Sequence, residues 1–127
     1  MTPTVLVVDD DDDIRELVKV ALQLVAGWEV LTAAGGGEAL ELAARHRPDA
    51  VLLDLMMPGM DGLTVFRHLQ ADAATRDIPV LLVTAKARVG QRQAWDEVAV
   101  AGVISKPFDP MTLAADVAAL VGWPAPD

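Results

Sequence analysis

The sequence contains no cysteine, which excludes a disulfide framework, a thiol nucleophile and a thiolate metal site. The start of the chain lacks the basic residues of a signal peptide, so we expect a cytoplasmic protein. No apolar run reaches the roughly 20 residues that cross a membrane, so no membrane association is expected. Basic residues are also scarce: 10 lysines and arginines against 19 aspartates and glutamates give a formal net charge of -9. This deficit argues against nucleic acid as a partner.

What remains is typical of one globular domain. The 127 residues are 53% hydrophobic and 23% charged, which is sufficient for a buried core but leaves no room for a second domain. We assign residues 1–122 to this domain. Residues 123–127 form a C-terminal tail, since the prolines there cannot continue a helix.

Four short apolar runs each end next to a polar residue. Continuous runs of Val, Leu and Ile are typical of buried parallel strands. Ligands of open α/β sheets bind outside the carboxyl ends of such strands, so the polar residues at these ends should lie together. In chain order, these residues are Asp9 and Asp10, Asp54, Thr84 and Lys106.

Strand and helix patterns alternate about five times along the chain. This alternation predicts an α/β fold, a doubly wound five-stranded parallel sheet with five helices on its two faces. Right-handed crossovers favour the strand order 2-1-3-4-5. The five predicted helices run from a cap at Asp12 or Asp13 to Val25, from Glu38 to His46, from about Leu63 to Ala71, around Val89 to Ala99, and from Pro110 through Val121.

The predicted order brings three aspartates together, because strands one and three are neighbours. Asp9, Asp10 and Asp54 would repel one another unless a cation lies among them. Mg²⁺, or Mn²⁺ in its place, suits these oxygen ligands. Asp54 could also attack phosphorus and form an acyl phosphate, a role compatible with binding metal through its other oxygen. The simpler interpretation is a solvated acidic turn for the residues around Asp9 and a loop cap for Asp54.

Lys106 and Thr84 complete a set of groups that phosphoryl transfer could use. Lys106 would neutralise part of the phosphoryl charge, and the Thr84 hydroxyl could donate a hydrogen bond to a phosphoryl oxygen. The simpler interpretations are a surface charge for Lys106 and an ordinary β-branched strand residue for Thr84.

These residues, with the stretches from Asp54 to Gly62 and from Lys106 to Phe108, resemble the receiver domain of bacterial two-component response regulators over about residues 4–121. The resemblance implies a flavodoxin-like fold and a stand-alone, chemotaxis-type architecture. It further implies that Asp54 is the phosphoacceptor and that Asp9, Asp10, Asp54 and the backbone carbonyl of Met56 bind Mg²⁺. The remaining implied roles are phosphoryl binding and switching by Thr84 and Lys106, a cis peptide bond before Pro107, and shaping of the loop by Pro58 and Gly62.

The resemblance also implies partners. A sensor histidine kinase or a histidine phosphotransfer protein would donate the phosphoryl group, and the domain would catalyse only its own phosphorylation and dephosphorylation. Phosphorylation would then alter the surface of the fourth helix, fifth strand and fifth helix, which contacts a downstream protein that the sequence does not name. Val103 occupies a strand-five position that is often aromatic in this family, which puts a switch by ring rotation in doubt.

Two other classes share parts of this pattern. Phosphohydrolases of the haloacid dehalogenase type use Asp, Lys, Thr and Mg²⁺, but need a second aspartate two residues after the nucleophile, where this chain has Met56. A phosphorylation-independent protein-interaction module of the same fold is the remaining alternative. Such modules often lose an acidic residue or the lysine, and none is lost here.

Overall fold

The computed structural model describes residues 2–85 and 99–126, and its centre is a parallel sheet of five strands. The spatial order is β2-β1-β3-β4-β5, as the alternating pattern predicted. β1 and β3 are therefore neighbours, paired in register from Val5 opposite Ala50 to Val8 opposite Leu53. The strands are β1 (Thr4–Val8), β2 (Glu29–Ala33), β3 (Ala50–Asp54), β4 (Val80–Thr84) and β5 (Gly102–Ser105).

Helices follow the strands in the described ranges. They are α1 (Asp12–Ala21), which continues as a π-helix over Leu22–Ala26, α2 (Gly36–His46), α3 (Gly62–Ala71) and α4 (Leu113–Val121). The helix predicted around Val89 to Ala99 lies, except for its last residue, outside the described residues, so α4 corresponds to the last predicted helix. Within 2–85 and 99–126, no helix has both the length and the hydrophobicity needed to span a bilayer.

The sheet is buried on both faces because successive strand residues point to opposite sides. On β1, Leu6 and Val8 belong to a core cluster that includes buried residues of α2 and α3. Val5 and Val7 belong to a second cluster, with buried residues of α1, the π-helix and α4. The continuous apolar runs in the sequence follow from this two-sided burial.

Three predicted helix starts are wrong by one to three residues. The second helix, α2, begins at Gly36 rather than Glu38, because the chain is already helical within the glycine run that the pattern assigned to a break. The cap of α1 is Asp11, whose carboxylate accepts hydrogen bonds from the backbone N–H groups of Asp13 and Ile14, and Asp12 is already helical. Consecutive aspartates are nearly equivalent caps, so the sequence could not choose among them. The last helix begins at Leu113 rather than Pro110, because the Asp109 side chain and carbonyl hold a turn that ends at Thr112.

The tail begins against the body of the domain. Trp123 donates its backbone N–H to the Ala118 carbonyl, and its ring meets Trp28 edge-on with centroids 5.2 Å apart. Such a pair contributes about 0.5–1.5 kcal/mol beyond the area that it buries. The domain boundary at residue 122 stays a prediction, although Trp123 packs with the second core cluster.

Candidate functional site

The side chains of three aspartates meet at the carboxyl ends of the neighbouring strands β1 and β3. Asp9 and Asp10 follow β1, and Asp54 is the last residue of β3. Their carboxylate oxygens lie within 4.8 Å of one another. Asp9 and Asp54 are buried, at 4% and 5% exposure, whereas Asp10 is exposed. The arrangement expected from the strand order is therefore present in the structure.

Lys106 joins the two buried carboxylates. Its Nζ lies 3.1 Å from Oδ2 of Asp9 and 3.3 Å from Oδ1 of Asp54. The residue follows β5, at the far side of β4 from β3, so its side chain crosses the end of β4 to reach them. The Lys106–Pro107 peptide bond is cis. One ammonium thus compensates part of the charge that three aspartates bring to this edge.

Burial and charge shift the pKa values of this pair. Burial raises the pKa of the Asp54 carboxyl, and the negative charge of Asp9 raises it further, against the opposing effect of Lys106. Burial by itself lowers the pKa of the Lys106 ammonium, but the hydrogen bond and charge of Asp9, followed by Asp54, outweigh it and raise this pKa above its usual value. Lys106 is therefore a firmly charged cation beside a carboxylate that is costly to ionise.

Thr84 lies at the same edge. It is the last residue of β4 and is completely buried. Its neighbour Val83 is in register with Asp54. The Thr84 carbonyl accepts a hydrogen bond from the Lys106 backbone N–H at 2.9 Å. This backbone hydrogen bond joins the end of β4 to the residue that follows β5, and β3 lies on the other side of β4.

Gly62 is needed because the backbone after Asp54 runs against it. A Cβ at position 62 would lie 2.6 Å from the Asp54 carbonyl oxygen and 2.8 Å from the Leu55 Cα, closer than real Cβ atoms come. The Gly62 N–H donates to the Leu55 carbonyl at 3.0 Å. The loop therefore returns to the end of β3, which only a residue without a side chain allows.

The loop between Asp54 and Gly62 contains a tight turn. The Met60 N–H donates to the Pro58 carbonyl, and Gly59 between them has a positive φ of 78°. Met56 is 53% exposed, and its backbone N–H lies 3.4 Å from Oδ1 of Asp54. Pro58 thus helps to form the turn, and Met56 lies beside the Asp54 carboxylate. The role of the Met56 carbonyl as a metal ligand stays a prediction.

The donor set fits a hard divalent cation. Three carboxylates and one ammonium leave a net charge of about −2 at an edge where two of the carboxylates are buried. Mg²⁺ requires only one or two carboxylates, with waters or phosphate oxygens completing its shell. Within the described part of the chain, the exposed Asp10 carboxylate has no hydrogen-bond partner, so its oxygens are available to such an ion.

Arg15 is a site neighbour that the sequence analysis did not identify. Its Nη1 donates to the backbone carbonyl of Asp9 at 2.8 Å, and its Nη2 forms an ion pair with Asp12. The side chain is 19% exposed. The only signal in the sequence was a basic residue one turn into a helix that starts with aspartates, which is also the pattern of an ordinary surface ion pair.

Comparison with known proteins identifies the family to which this chain is similar. Residues 5–118 match the family described as the response regulator receiver domain. The phosphate regulon transcriptional regulatory protein PhoB of Pseudomonas aeruginosa is 39% identical over 118 residues, which cover 93% of this chain and 51% of that protein. The chain spans 26% to 54% of the length of such relatives.

Solved structures agree in fold. The chemotaxis protein CheY4 of Vibrio cholerae superposes with a TM-score of 0.86 at 33% identity, covering 94% of this chain and 99% of that one. The receiver domain of the sensor histidine kinase PA1611 of Pseudomonas aeruginosa, solved with a magnesium ion coordinated in its active site cleft, gives 0.84 at 27% identity, covering 96% and 99%.

Proposed function

This chain belongs to the response regulator receiver domain family of two-component systems, and from that premise we propose that Asp54 accepts a phosphoryl group in a Mg²⁺-dependent reaction. The observation that carries the proposal is the convergence of Asp9, Asp10 and Lys106 on the Asp54 carboxylate. The donor is a phosphohistidine on a sensor histidine kinase or a histidine phosphotransfer protein.

The reaction is a displacement at phosphorus. A carboxylate oxygen of Asp54 attacks, an O–P bond forms, and the N–P bond to the donor histidine breaks. The electron pair of that bond stays on the imidazole nitrogen, which takes up a proton. Burial and the nearby Asp9 already destabilise the negative charge of Asp54, and the acyl phosphate brings further negative charge, so the transfer requires cations at this edge.

Neighbouring groups offset the incoming charge. Asp9, Asp10 and Asp54 would hold Mg²⁺ with the Met56 carbonyl, and the bound ion would neutralise charge on the phosphoryl oxygens. Lys106 already lies 3.3 Å from the attacking carboxylate and would contact a phosphoryl oxygen. Positioning and charge neutralisation are the main requirements of phosphoryl transfer, so no further acid or base is needed.

The phosphorylated state would be read at a surface. The Thr84 hydroxyl would bind a phosphoryl oxygen, and the added charge would shift an existing equilibrium at the surface of the fourth helix, the fifth strand and the last helix. The predicted fourth helix, around Val89 to Ala99, lies outside the described residues except for its last residue, and the last helix is α4. On β5, Val103 is partly buried against the core and lines a surface cavity of about 480 Å³ with Leu120 of α4. A partner of unknown identity would dock there.

The chain would act only on itself. Its nucleophile is consumed in each cycle and regenerated by hydrolysis of its own acyl phosphate. Met56 stands where an aspartyl phosphohydrolase needs its acid/base aspartate, which supports a signalling switch over an enzyme with an external substrate. The comparison with PhoB, a transcriptional regulatory protein, supports placing the domain upstream of an output response.

Intact mass spectrometry tests the proposal. We would incubate the protein with acetyl phosphate and Mg²⁺, and expect a gain of one phosphoryl group that a chelator abolishes. Asp54→Asn should show no gain. Asp77→Asn, which changes an exposed carboxylate before the start of β4, at the opposite edge of the sheet from the site, is the matched control and should be phosphorylated like the wild type.

The alternative function predicts a different result. A phosphorylation-independent interaction module would gain no phosphoryl group from acetyl phosphate or from a histidine kinase, while circular dichroism showed an intact fold. Phosphorylation of Asp54→Asn to the wild-type level would also contradict the proposal, because another residue would then be the acceptor.

A further inference from the structure

Arg15 donates a hydrogen bond to the backbone of the segment that contains Asp9 and Asp10. It lies on the first turns of α1, yet its Nη1 reaches back to the carbonyl oxygen of Asp9 at 2.8 Å. The ion pair with Asp12 holds the other end of the same guanidinium. The side chain is 19% exposed, so most of it is shielded from competing water. A hydrogen bond from a charged donor under these conditions is among the stronger ones in proteins.

We propose that Arg15 is a positioning residue that sets the Asp10 carboxylate for divalent cation binding. The Asp9 carbonyl belongs to the peptide group that links Asp9 to Asp10. Because a peptide group is planar, fixing its oxygen also fixes the direction in which the chain continues to the Asp10 Cα. This inference depends on the proposed function, since it assumes that Asp10 is a ligand.

The two neighbouring aspartates are held in different ways. The Asp9 carboxylate accepts the Asp11 N–H at 2.9 Å and contacts Lys106, so side-chain bonds orient it. The exposed Asp10 carboxylate has no such bond within residues 2–85 and 99–126. Its placement therefore depends on the backbone, and Arg15 is the side chain that bonds the backbone immediately before it.

The sign of the effect separates positioning from charge. A positive charge near a cation site opposes binding, so if Arg15 acted only through its charge, removing it would strengthen Mg²⁺ binding. If Arg15 acts by positioning, its removal weakens binding, because ligands whose outer partners are lost bind metal less tightly. The two mechanisms thus predict shifts in opposite directions.

Isothermal titration calorimetry of the unphosphorylated protein with Mg²⁺ measures the shift. Arg15→Met removes both donors and keeps an apolar stem, and we expect its Kd to rise by about tenfold, the lower range for loss of an outer partner. Arg45→Met is the matched control. This substitution breaks the exposed ion pair of Arg45 with Glu41. Arg45 lies near the end of α2, which precedes the start of β3 at the edge of the sheet opposite the site, so the Kd should be unchanged.

Each outcome decides a separate point. If the wild type binds no Mg²⁺, the proposed function fails and this inference fails with it. If the wild type binds and a folded Arg15→Met binds equally or more tightly, only the inference fails. Arg15→Lys keeps one donor and also keeps the charge that opposes cation binding, so tighter Mg²⁺ binding by Arg15→Lys than by Arg15→Met would support positioning. If Arg15→Met does not fold, Arg15→Ala, which has no side-chain donor and suits a helix, replaces it.

Discussion

Replacing Asp54 by asparagine is expected to stabilise the folded protein at pH 7 when no divalent cation is present. The Asp54 side chain is only 6% exposed, so its ionised form loses most of its hydration on folding. Asparagine has nearly the same shape without the charge. The change therefore removes a desolvation penalty while leaving the packing of the site largely intact.

The charge interactions of Asp54 nearly cancel. At an effective dielectric constant of about 20, repulsion between Asp9 and Asp54 costs about 3.5 kcal/mol at 4.8 Å, the upper limit of the separation between their carboxylate oxygens. Attraction by Lys106 at 3.3 Å contributes about 5 kcal/mol on the same scale. The more exposed Asp10 adds a repulsion of about 1 to 3.5 kcal/mol, so the sum is within about 2 kcal/mol of zero. Desolvation then decides the sign, and we expect asparagine to increase the free energy of unfolding by about 1 kcal/mol.

The pH dependence has a definite sign. The pKa of Asp54 is raised in the folded state above its ordinary value of 3.8, so the folded state holds this proton more tightly than the unfolded state does. The wild type consequently loses stability as the pH rises from about 3.8 through the raised folded pKa, and Asp54→Asn does not. The advantage of asparagine should be absent at lower pH and complete above that window.

Urea unfolding followed by tryptophan fluorescence measures this difference, since Trp28 is 8% exposed in the fold. The measurement is made with a chelator and then with Mg²⁺ at ten times its Kd, where the wild type gains about 1.4 kcal/mol. Asp54→Asn should gain less, because it lacks a ligand. Asp77→Asn should stay within about 0.5 kcal/mol of the wild type. A less stable Asp54→Asn at pH 7 in chelator would refute the reasoning.

Two further predictions concern the support of the site. Gly62→Ala should lower the free energy of unfolding by about 2 kcal/mol and slow phosphorylation, because the added Cβ would displace the backbone at Asp54. In the control Gly37→Ala, the added Cβ has nothing within 4 Å, so stability should not fall. Wild-type phosphorylation of Gly62→Ala would contradict this. Thr75→Val should cost about 1–2 kcal/mol in urea unfolding, since the buried Thr75 hydroxyl donates to the Leu69 carbonyl at 2.8 Å; an unchanged midpoint would show that this bond contributes little.

The parallel sheet and its strand order could be predicted because the relevant signals are local. Runs of Val, Leu and Ile are required wherever a strand is covered on both faces, and right-handed crossovers leave few possible orders. The polar residue after each run then has a known position at the carboxyl edge. Asp9, Asp10 and Asp54 are therefore predicted to lie together from the strand order alone.

Helix starts were less predictable, because several residues were equivalent by local criteria. Any of three consecutive aspartates could have capped α1, and the geometry of the turn after β1 selects Asp11. Likewise, Pro110 is suited to a first helical turn, but the Asp109 side chain stabilises a turn that delays α4 until Leu113. The choice depends on competing hydrogen bonds whose energies differ by little.

The sequence by itself determined the fold class, the strand order and the acidic edge of the sheet, since these follow from periodicity and from residues adjacent to each strand. Only the tertiary structure decided which groups touch there. Lys106 meets Asp9 across 97 positions of the chain, Arg15 reaches back to the Asp9 carbonyl, and Gly62 closes on Asp54. Such contacts depend on distances of a few ångströms between separate elements, and the packing of those elements sets these distances.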